Sequence, residues 1–186
     1  MRKLYFIFLL LLFTTPFLVA SFFEDVSGGP SVDEVETVGD ILQVALPVTA
    51  LASTYILDDK EGRVEFWKSY ISSISLTYLL KYSIDKTRPN GDCCESFPSG
   101  HTTAAFSGAM FIQRKYGFKY GIPSLLLASF VGYSRVYADK HYWEDVATGA
   151  SIGIVGNMIF TKKYNNRSLS FYKNRDNVYL AMGVRF

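Results

Sequence analysis

Apolar residues along this chain fall into one N-terminal run and five later segments, which polar, turn-rich stretches separate. The run at 4–13 follows Arg2 and Lys3 and precedes small residues, a pattern typical of a signal peptide or of an uncleaved first membrane helix. The later segments span 41–57, 67–84, 102–113, 122–137 and 146–160. Their lengths favour helices, so the pattern predicts an all-α bundle of about six helices.

The same pattern divides the chain into four parts. We expect a leader or first membrane helix at 1–20, an exported acidic loop at 21–40, a helical domain at 41–164 and a C-terminal tail at 165–186. Apolar residues alternate with more polar or smaller ones from 178 to 186, which is the period of a strand. Because one strand cannot build a sheet, the tail is expected to pack on the bundle or on a partner.

Composition and charge favour a membrane-embedded bundle over a soluble one. Hydrophobic residues make up 49% of the chain and charged residues 19%, against about 25% charged residues in a typical soluble domain. With the N-terminus inside and each helix crossing once, most of the 19 basic residues fall in inside loops, as the positive-inside rule requires. The net charge of +2 is too small to indicate nucleic acid as a partner.

The two cysteines, Cys93 and Cys94, are adjacent in the chain. They could form a strained vicinal disulfide or an intermolecular bridge in an oxidising compartment, or serve as two small loop residues. A zinc site is not expected, because the only two histidines have a better use in the motifs that follow.

Three short motifs carry the candidate chemistry. In chain order they are Lys81 with Arg88-Pro89, then Pro98-Ser99-Gly100-His101, then Arg135 with His141 and Asp145. On one helix Lys81 and Arg88 would lie two turns apart on the same face, and Arg135 comes from another helix. Three cations could therefore converge on one anion, and a phosphoryl group is the anion that such a cluster suits best.

The second and third motifs add a backbone anion site and a histidine–carboxylate pair. Ser99 is suited to cap the helix that follows, and Gly100 allows a ligand to approach the backbone closely. The positive end of that helix favours an anion. His141 and Asp145 are four residues apart, so on a helix the carboxylate could orient one ring nitrogen and leave the other to attack phosphorus.

Together the three motifs resemble the signature of the type 2 phosphatidic acid phosphatase superfamily, which also includes bacterial acid phosphatases and vanadium haloperoxidases. The resemblance spans residues 81–145. It implies a hydrolase that needs no metal and no other cofactor and works through a phosphohistidine intermediate. The resemblance implies that His141 is the nucleophile, that Asp145 orients it and that His101 is the general acid. It assigns phosphate binding to Lys81, Arg88, Ser99, Gly100 and Arg135.

The favoured interpretation is a lipid phosphatase of a bacterial cytoplasmic membrane, with its active site on the periplasmic or exterior side. The resemblance implies a lipid phosphate or diphosphate as substrate, such as undecaprenyl diphosphate, phosphatidylglycerophosphate, phosphatidic acid or lipid A. One alternative is a secreted, soluble acid phosphatase in the periplasm with the same mechanism. Another is a membrane protein that binds phosphate without catalysis.

Overall fold

The computed structural model describes residues 31–164, 167–173 and 178–184. Within these ranges the chain forms five helices, α1 Val32–Ile56, α2 Lys60–Ser83, α3 Gly100–Tyr116, α4 Phe118–Tyr137 and α5 Trp143–Phe160, and two strands, β1 Arg167–Lys173 and β2 Val178–Val184. Each of the five apolar segments corresponds to one helix, which confirms the all-α prediction for the described bundle. The leader at 1–20, with the first of the six expected helices, lies outside the described residues.

Helix α1 begins well before the apolar segment that predicted it. Ser31 caps the helix, since its Oγ accepts from the Glu34 N–H at 3.3 Å and the Glu34 carboxylate accepts from the Ser31 N–H at 2.8 Å. This reciprocal capping box starts the helix at Val32. The prediction of a loop over 21–40 is therefore corrected, because residues 32–40 are helical.

The helices are also longer than the apolar segments suggested. Asp59 caps α2 by accepting from the Gly62 N–H at 2.8 Å, which starts that helix seven residues before the predicted Trp67. The five helices contain between 17 and 25 residues. These lengths are close to the roughly 20 residues that a membrane-spanning helix needs. By length and composition, α1 is the one described helix that qualifies as a candidate span.

Helix α3 lies at the centre of the bundle and packs against each of the other four helices. One buried apolar cluster joins α1, α3 and α4 through Val38, Leu42, Leu46, Ala105, Ala109, Ala128 and Val131. A second joins α1, α2 and α3 through Ala50, Phe66, Phe111 and Ile112. These contacts fix the order of the helices around α3.

Small residues let α5 approach α3 closely. A Cβ added at Gly149 would lie 2.5 Å from the Ser99 carbonyl oxygen, so any larger residue there would push α5 away. Deeper in the bundle the side chains of Thr77 and Thr103 form a buried hydrogen bond of 3.0 Å between α2 and α3. The close approach of α5 holds the start of α3, and with it the second motif, in a fixed position.

The outer surface of the bundle is strongly apolar. The four outer helices expose large hydrophobic side chains, whereas the central helix α3 exposes none. The exposed set comprises Ile41, Val44, Val48, Tyr55, Val64, Trp67, Ile71, Leu76, Tyr78, Leu79, Tyr82, Ile122, Leu126, Tyr133, Val155, Met158 and Ile159, among others. So many exposed large apolar side chains are typical of a membrane or protein contact.

The C-terminal tail contains two strands rather than one. Strand β1 pairs antiparallel with β2, with Arg167 opposite Val184 and Phe171 opposite Leu180. The alternation in the sequence correctly located β2, but the expectation of a single strand was wrong, because the preceding residues supply the partner. The partner along one edge of the predicted strand therefore comes from the tail itself.

Candidate active site

The three motifs meet at one end of the bundle. Lys81 lies in the last turn of α2, Ser99 caps α3, Arg135 lies in the last turn of α4 and Asp145 in the first turn of α5. Successive helices run in opposite directions, so the ends of α2 and α4 and the starts of α3 and α5 come together. The charges of Lys81 and Arg88 act on both histidines, and that of Arg135 acts on His101.

Arg88 does not share a helix face with Lys81, which corrects the expectation from their spacing. Helix α2 ends at Ser83, and Arg88 lies beyond it in a loop closed by its own backbone bonds to Gly91 and Asp92, each 3.0 Å. The loop nevertheless brings Arg88 close enough to Lys81 for their charges to interact. Nε of Arg88 is buried and has no hydrogen-bond partner among the residues described, so it is available to an anion.

Lys81 is buried, and its ammonium donates to the carbonyl oxygen of Glu95. The same loop contains a vicinal disulfide between Cys93 and Cys94. Of the three possibilities that the sequence left open for the cysteines, the structure has the intramolecular bond. The loop is tied to the turn after α4 by the Asn90 N–H, which donates to the Asp139 carbonyl at 3.1 Å.

The second motif forms the start of α3 as predicted. Ser99 is fully buried and accepts from the Thr102 N–H, and its carbonyl accepts the first intrahelical bond from the Thr103 N–H at 3.0 Å. The N–H groups of Gly100 and His101 therefore precede the intrahelical ladder. A Cβ added at Gly100 would meet nothing within 4 Å, so this end of the helix faces open space.

His141 and Asp145 come together, but not on one helix. His141 lies in the turn between α4 and α5, and Asp145 is the third residue of α5. His141 Nδ1 is 3.7 Å from Asp145 Oδ2, which is ion-pair range and slightly longer than a hydrogen bond. Both side chains are almost completely buried.

The carboxylate of Asp145 is held by three further donors. Oδ1 accepts from Lys86 Nζ at 2.6 Å, and Oδ2 accepts from Ser96 Oγ at 2.5 Å and from the Tyr142 N–H at 3.0 Å. Lys86 also pairs with Glu144. Against the effect of its partial burial, the hydrogen bonds to Asp145 and Glu144 raise the pKa of Lys86. Asp145 is therefore a fixed, charged acceptor facing His141.

His141 is a neutral base over a wide pH range. Burial, followed by the charge of Lys81, lowers the pKa of its imidazole to about 4, although Asp145 and the Ser96 backbone act in the opposite direction. At neutral pH the ring is therefore unprotonated at one nitrogen. A neutral imidazole with a carboxylate at Nδ1 leaves the lone pair of Nε2 available for attack.

Two acidic residues of α1 also lie at the site, and neither belongs to the three motifs of the sequence. Asp40 Oδ1 lies 2.9 Å from Arg135 Nη1 and 3.3 Å from His101 Nε2. Glu36 Oε1 lies 3.5 Å from the same Arg135 nitrogen, and the Glu36 carbonyl accepts from Arg135 Nη2 at 2.7 Å. The signal was the capping box at Ser31, which starts a helix early enough to place these two acids on one face.

An all-α bundle whose helix ends gather two histidines, a buried carboxylate and three cations has the features of a phosphate-handling site. The chain belongs to the PAP2 superfamily, whose family model matches residues 64–169, more than half of its length. The matched region contains all three motifs. Helix α1, which contributes Glu36 and Asp40, lies before it.

Relatives of this chain include two curated lipid A phosphatases. It is 35% identical over 106 residues to a lipid A 1-phosphatase of Porphyromonas gingivalis, covering 51% of this chain and 24% of that protein. It is 29% identical over 149 residues to a lipid A 4'-phosphatase of Helicobacter pylori, covering 74% of this chain and 75% of the relative. The chain thus spans about a quarter of the first relative and three-quarters of the second.

The fold is similar to that of a solved membrane enzyme. The crystal structure of a transmembrane PAP2-type phosphatidylglycerolphosphate phosphatase from Bacillus subtilis aligns with a TM-score of 0.58. The alignment covers 86% of this chain and 92% of that structure at 21% identity. The likeness shows a shared fold.

Proposed function

We propose that this chain is a membrane lipid phosphatase that hydrolyses a lipid phosphate or diphosphate through a phosphohistidine on His141. The observation that carries the proposal is the buried His141–Asp145 pair beside Lys81 and Arg88. Binding alone requires cations, whereas a neutral imidazole oriented by a fixed carboxylate has the arrangement of a nucleophile.

The proposed first step is in-line attack of His141 Nε2 on phosphorus. The bond from phosphorus to the leaving oxygen breaks, and His101 gives that oxygen its proton. Asp145, held in its charged form by Lys86 and Ser96, stabilises the positive charge that develops on the ring of His141. In the second step His101 takes a proton from water, water attacks phosphorus, and the phosphorus–nitrogen bond breaks to release inorganic phosphate.

The oxygens of the transferred group are proposed to bind between the cations and the start of α3. Lys81, Arg88 and Arg135 supply positive charge, and the N–H groups of Gly100 and His101 point out of the helix end. The unpartnered Nε of Arg88 supports this assignment. The transition state of phosphoryl transfer spreads charge over these oxygens, so preorganised donors stabilise it.

The exposed apolar surface supports a membrane position for the bundle, with the active site at head-group level. Aromatic side chains are exposed at the helix ends that carry the site, namely Tyr78, Tyr82, Tyr133, Tyr137, Tyr142 and Trp143. Tyrosine and tryptophan are enriched where a membrane meets water. The basic residues in the predicted inner loops support an orientation with the site on the periplasmic or exterior side of a bacterial cytoplasmic membrane.

The substrate class is proposed from the site and from the names of the relatives. Both curated relatives described above are named as lipid A phosphatases, and the Bacillus protein as a phosphatidylglycerolphosphate phosphatase. In each of these names the substrate is a phosphate carried by a lipid. A phosphorylated lipid whose head group reaches the cations while its chains stay in the apolar surface fits the geometry of this chain.

The deciding experiment measures phosphate release by the full-length, detergent-extracted protein with EDTA present. Lipid A, phosphatidylglycerophosphate, phosphatidic acid and a long-chain isoprenoid diphosphate are compared with a small soluble ester. His141→Ala is assayed beside wild type, with Lys60→Ala on exposed α2 surface as a control far from the site. We expect activity on at least one lipid, and we expect His141→Ala to lose at least a thousandfold in kcat.

Chemical trapping tests the intermediate separately. A phosphohistidine is stable in base and hydrolysed in acid, so wild type quenched in base after mixing with labelled lipid should retain protein-bound phosphate. The label should be missing from His141→Ala. Equal turnover in His141→Ala, or label that survives acid, would contradict the mechanism. Turnover of the soluble ester alone would favour the soluble acid phosphatase, and no turnover of any substrate would favour a binding role.

A further inference from the structure

Asp40 lies against the active site although it belongs to none of the three motifs. Its Oδ1 is buried at ion-pair distance from two cationic groups, 2.9 Å from Arg135 Nη1 and 3.3 Å from His101 Nε2, and it makes no hydrogen bond within the described residues. The side chain as a whole is 47% exposed. One carboxylate oxygen thus contacts both the arginine and the histidine.

A rigid part of the fold presents this carboxylate. Val38 and Leu42, on either side of Asp40 in the chain, are buried in the cluster that joins α1, α3 and α4. Gly39 brings α1 so close to α4 that an added Cβ would lie 2.8 Å from Arg135 Nη2. Asp40 is therefore held against the site by packing rather than by a mobile loop.

We propose that Asp40 is a positioning residue that holds the imidazole of His101 through Nε2 and favours its protonated form, so that Nδ1 presents the proton to the leaving group. The inference rests on the proposed phosphatase function. It gives the site two histidine–carboxylate pairs, with Asp145 at Nδ1 of His141 and Asp40 at Nε2 of His101. The first pair orients a nucleophile, and the second orients an acid.

The surrounding charges explain why His101 requires a carboxylate. The charged groups that face it are Arg135 from α4, Lys81 from α2, Arg88 from the loop after α2, and Asp40 from α1. The three cations oppose a further positive charge on the imidazole, and Asp40 is the anion among them. After His101 gives its Nδ1 proton to the leaving oxygen, the remaining proton stays on Nε2 against Asp40. Nδ1 can then accept a proton from the attacking water.

Comparison with Glu36 distinguishes positioning of His101 from simple neutralisation of Arg135. Glu36 contacts the same Arg135 nitrogen at 3.5 Å, but its interactions in the described structure do not include His101. If Asp40 served only to neutralise Arg135, then Asp40→Asn and Glu36→Gln would alter the enzyme in the same way. If Asp40 positions His101, only Asp40→Asn should change the titration of the imidazole.

The test combines kinetics with NMR of labelled histidine in the full-length protein in detergent micelles. Only two histidines are present, so His141→Ala leaves a single imidazole signal, that of His101. We expect Asp40→Asn to lower kcat/KM about tenfold or more at neutral pH and to move the alkaline limb of its pH profile to lower pH. In the spectrum, His101 should lose its proton at lower pH than in wild type, and Asp40→Glu should restore part of the difference.

The controls are a matched set of changes from carboxylate to amide on the same helix. Glu36→Gln should raise KM without moving either the alkaline limb or the histidine titration, and the exposed Asp33→Asn should match wild type. An identical His101 titration in Asp40→Asn and Asp33→Asn would overturn the proposal even if the enzyme is a phosphatase. A shifted titration in a protein without phosphatase activity would leave the pair established and overturn the proposed function instead.

If Asp40→Asn does not fold, the proposal can be tested on His101 with Asp40 left unchanged. Nitrogen chemical shifts of the His141→Ala protein report which ring nitrogen of neutral His101 carries the proton. We expect Nε2, facing Asp40. A proton on Nδ1 would overturn the proposal without any change at Asp40.

Discussion

Lys86 Nζ lies 2.6 Å from Asp145 Oδ1. The carboxylate that faces His141 is therefore ion-paired with a lysine that belongs to none of the three motifs. The ammonium also lies 4.5 Å from the centre of the Tyr142 ring, directly before the helix that carries Asp145. The pair keeps Asp145 charged and its orientation fixed. Lys86, which belongs to none of the motifs, thus fixes the motif residue Asp145.

Replacing Lys86 should therefore slow chemistry without weakening substrate binding. We expect Lys86→Met to lower kcat tenfold to about a hundredfold with KM nearly unchanged, because a small displacement of Asp145 misaligns His141. Lys86→Arg should retain most of the activity. Steady-state kinetics on the lipid substrate provide the measurement, and a rise in KM with unchanged kcat would show that Lys86 contacts substrate instead.

His101→Ala should discriminate between leaving groups. A leaving oxygen of high basicity needs a proton during bond cleavage, whereas an aryl oxide leaves without one. We expect His101→Ala to lose a hundredfold to about ten-thousandfold in kcat on an alkyl or lipid phosphate, but much less on an aryl phosphate. Equal losses on both esters would contradict the general-acid role, and His141→Ala, which should lose activity on both, is the comparison.

The pH profile should show the unusual titration of His141. Since the pKa of its imidazole is lowered to about 4, the nucleophile is neutral above that pH and becomes protonated below it. We expect the acid limb of kcat/KM, which reports protonation of the nucleophile, to appear only as pH drops through about 4. Comparison of two substrates with different phosphate pKa values identifies the limb that belongs to the enzyme, because that limb stays at the same pH with both. An acid limb near 6.5, the ordinary pKa of histidine, would contradict the lowered pKa of His141.

The same shift makes stability depend on pH. His141 folds as a neutral side chain, so its contribution to stability is complete above its unfolded pKa and declines as pH falls toward the folded value. Activity after return from pH 4.5 to pH 7 therefore separates reversible titration from unfolding.

An added methyl group should affect stability at Gly39 but not at Gly100, and it should raise KM at both positions. A Cβ at Gly39 would lie 2.9 Å from Ser134 Cβ, so Gly39→Ala should destabilise the fold by about 1–3 kcal/mol and raise KM by displacing Arg135. A Cβ at Gly100 would meet nothing within 4 Å, so Gly100→Ala should keep wild-type stability and raise KM by narrowing the phosphate site. Thermal unfolding and KM measured in parallel check both. An unchanged KM in Gly100→Ala would place the phosphate elsewhere.

Lys115, at the opposite end of the bundle, should matter for stability and not for chemistry. Its buried ammonium lies 3.1 Å from Asp59 and 2.7 Å from Glu65. Lys115→Met leaves both carboxylates without their cation, and we expect a loss of about 3–5 kcal/mol in the free energy of unfolding. The folded fraction should keep wild-type kcat. Lys60→Met, an exposed change on α2, is the control, and a lower kcat in folded Lys115→Met would be unexpected.

The sequence predicted the helices that form the site better than the side-chain contacts between them. The five apolar segments located five helices, and the cap at Ser99 followed from local rules. Local rules could not predict the contacts of Asp40 and Lys86, because their partners, Arg135 and Asp145, are far away in the chain. Such contacts depend on which helices pack together and at what angle.

Local errors have local physical causes. The spacing of Arg88 from Lys81 fits one helix face, but α2 ends at Ser83 and Arg88 lies in the loop beyond it. The apolar residues of α1 do not indicate where the helix starts, because the hydrogen bonds between Ser31 and Glu34 fix that start. The strand β1 was missed because its pairing with β2 is visible only once both are aligned.

The exposed aromatic residues around the site have a kinetic consequence on the proposed membrane placement. The lipid would reach His141 by lateral diffusion within its own leaflet, so the concentration that matters is its mole fraction in the surface. Adding inert detergent or lipid at constant bulk substrate should then slow turnover by dilution in two dimensions. By holding the site at the membrane surface, the exposed tyrosine and tryptophan side chains would thus make the membrane, rather than the aqueous solution, the source of substrate.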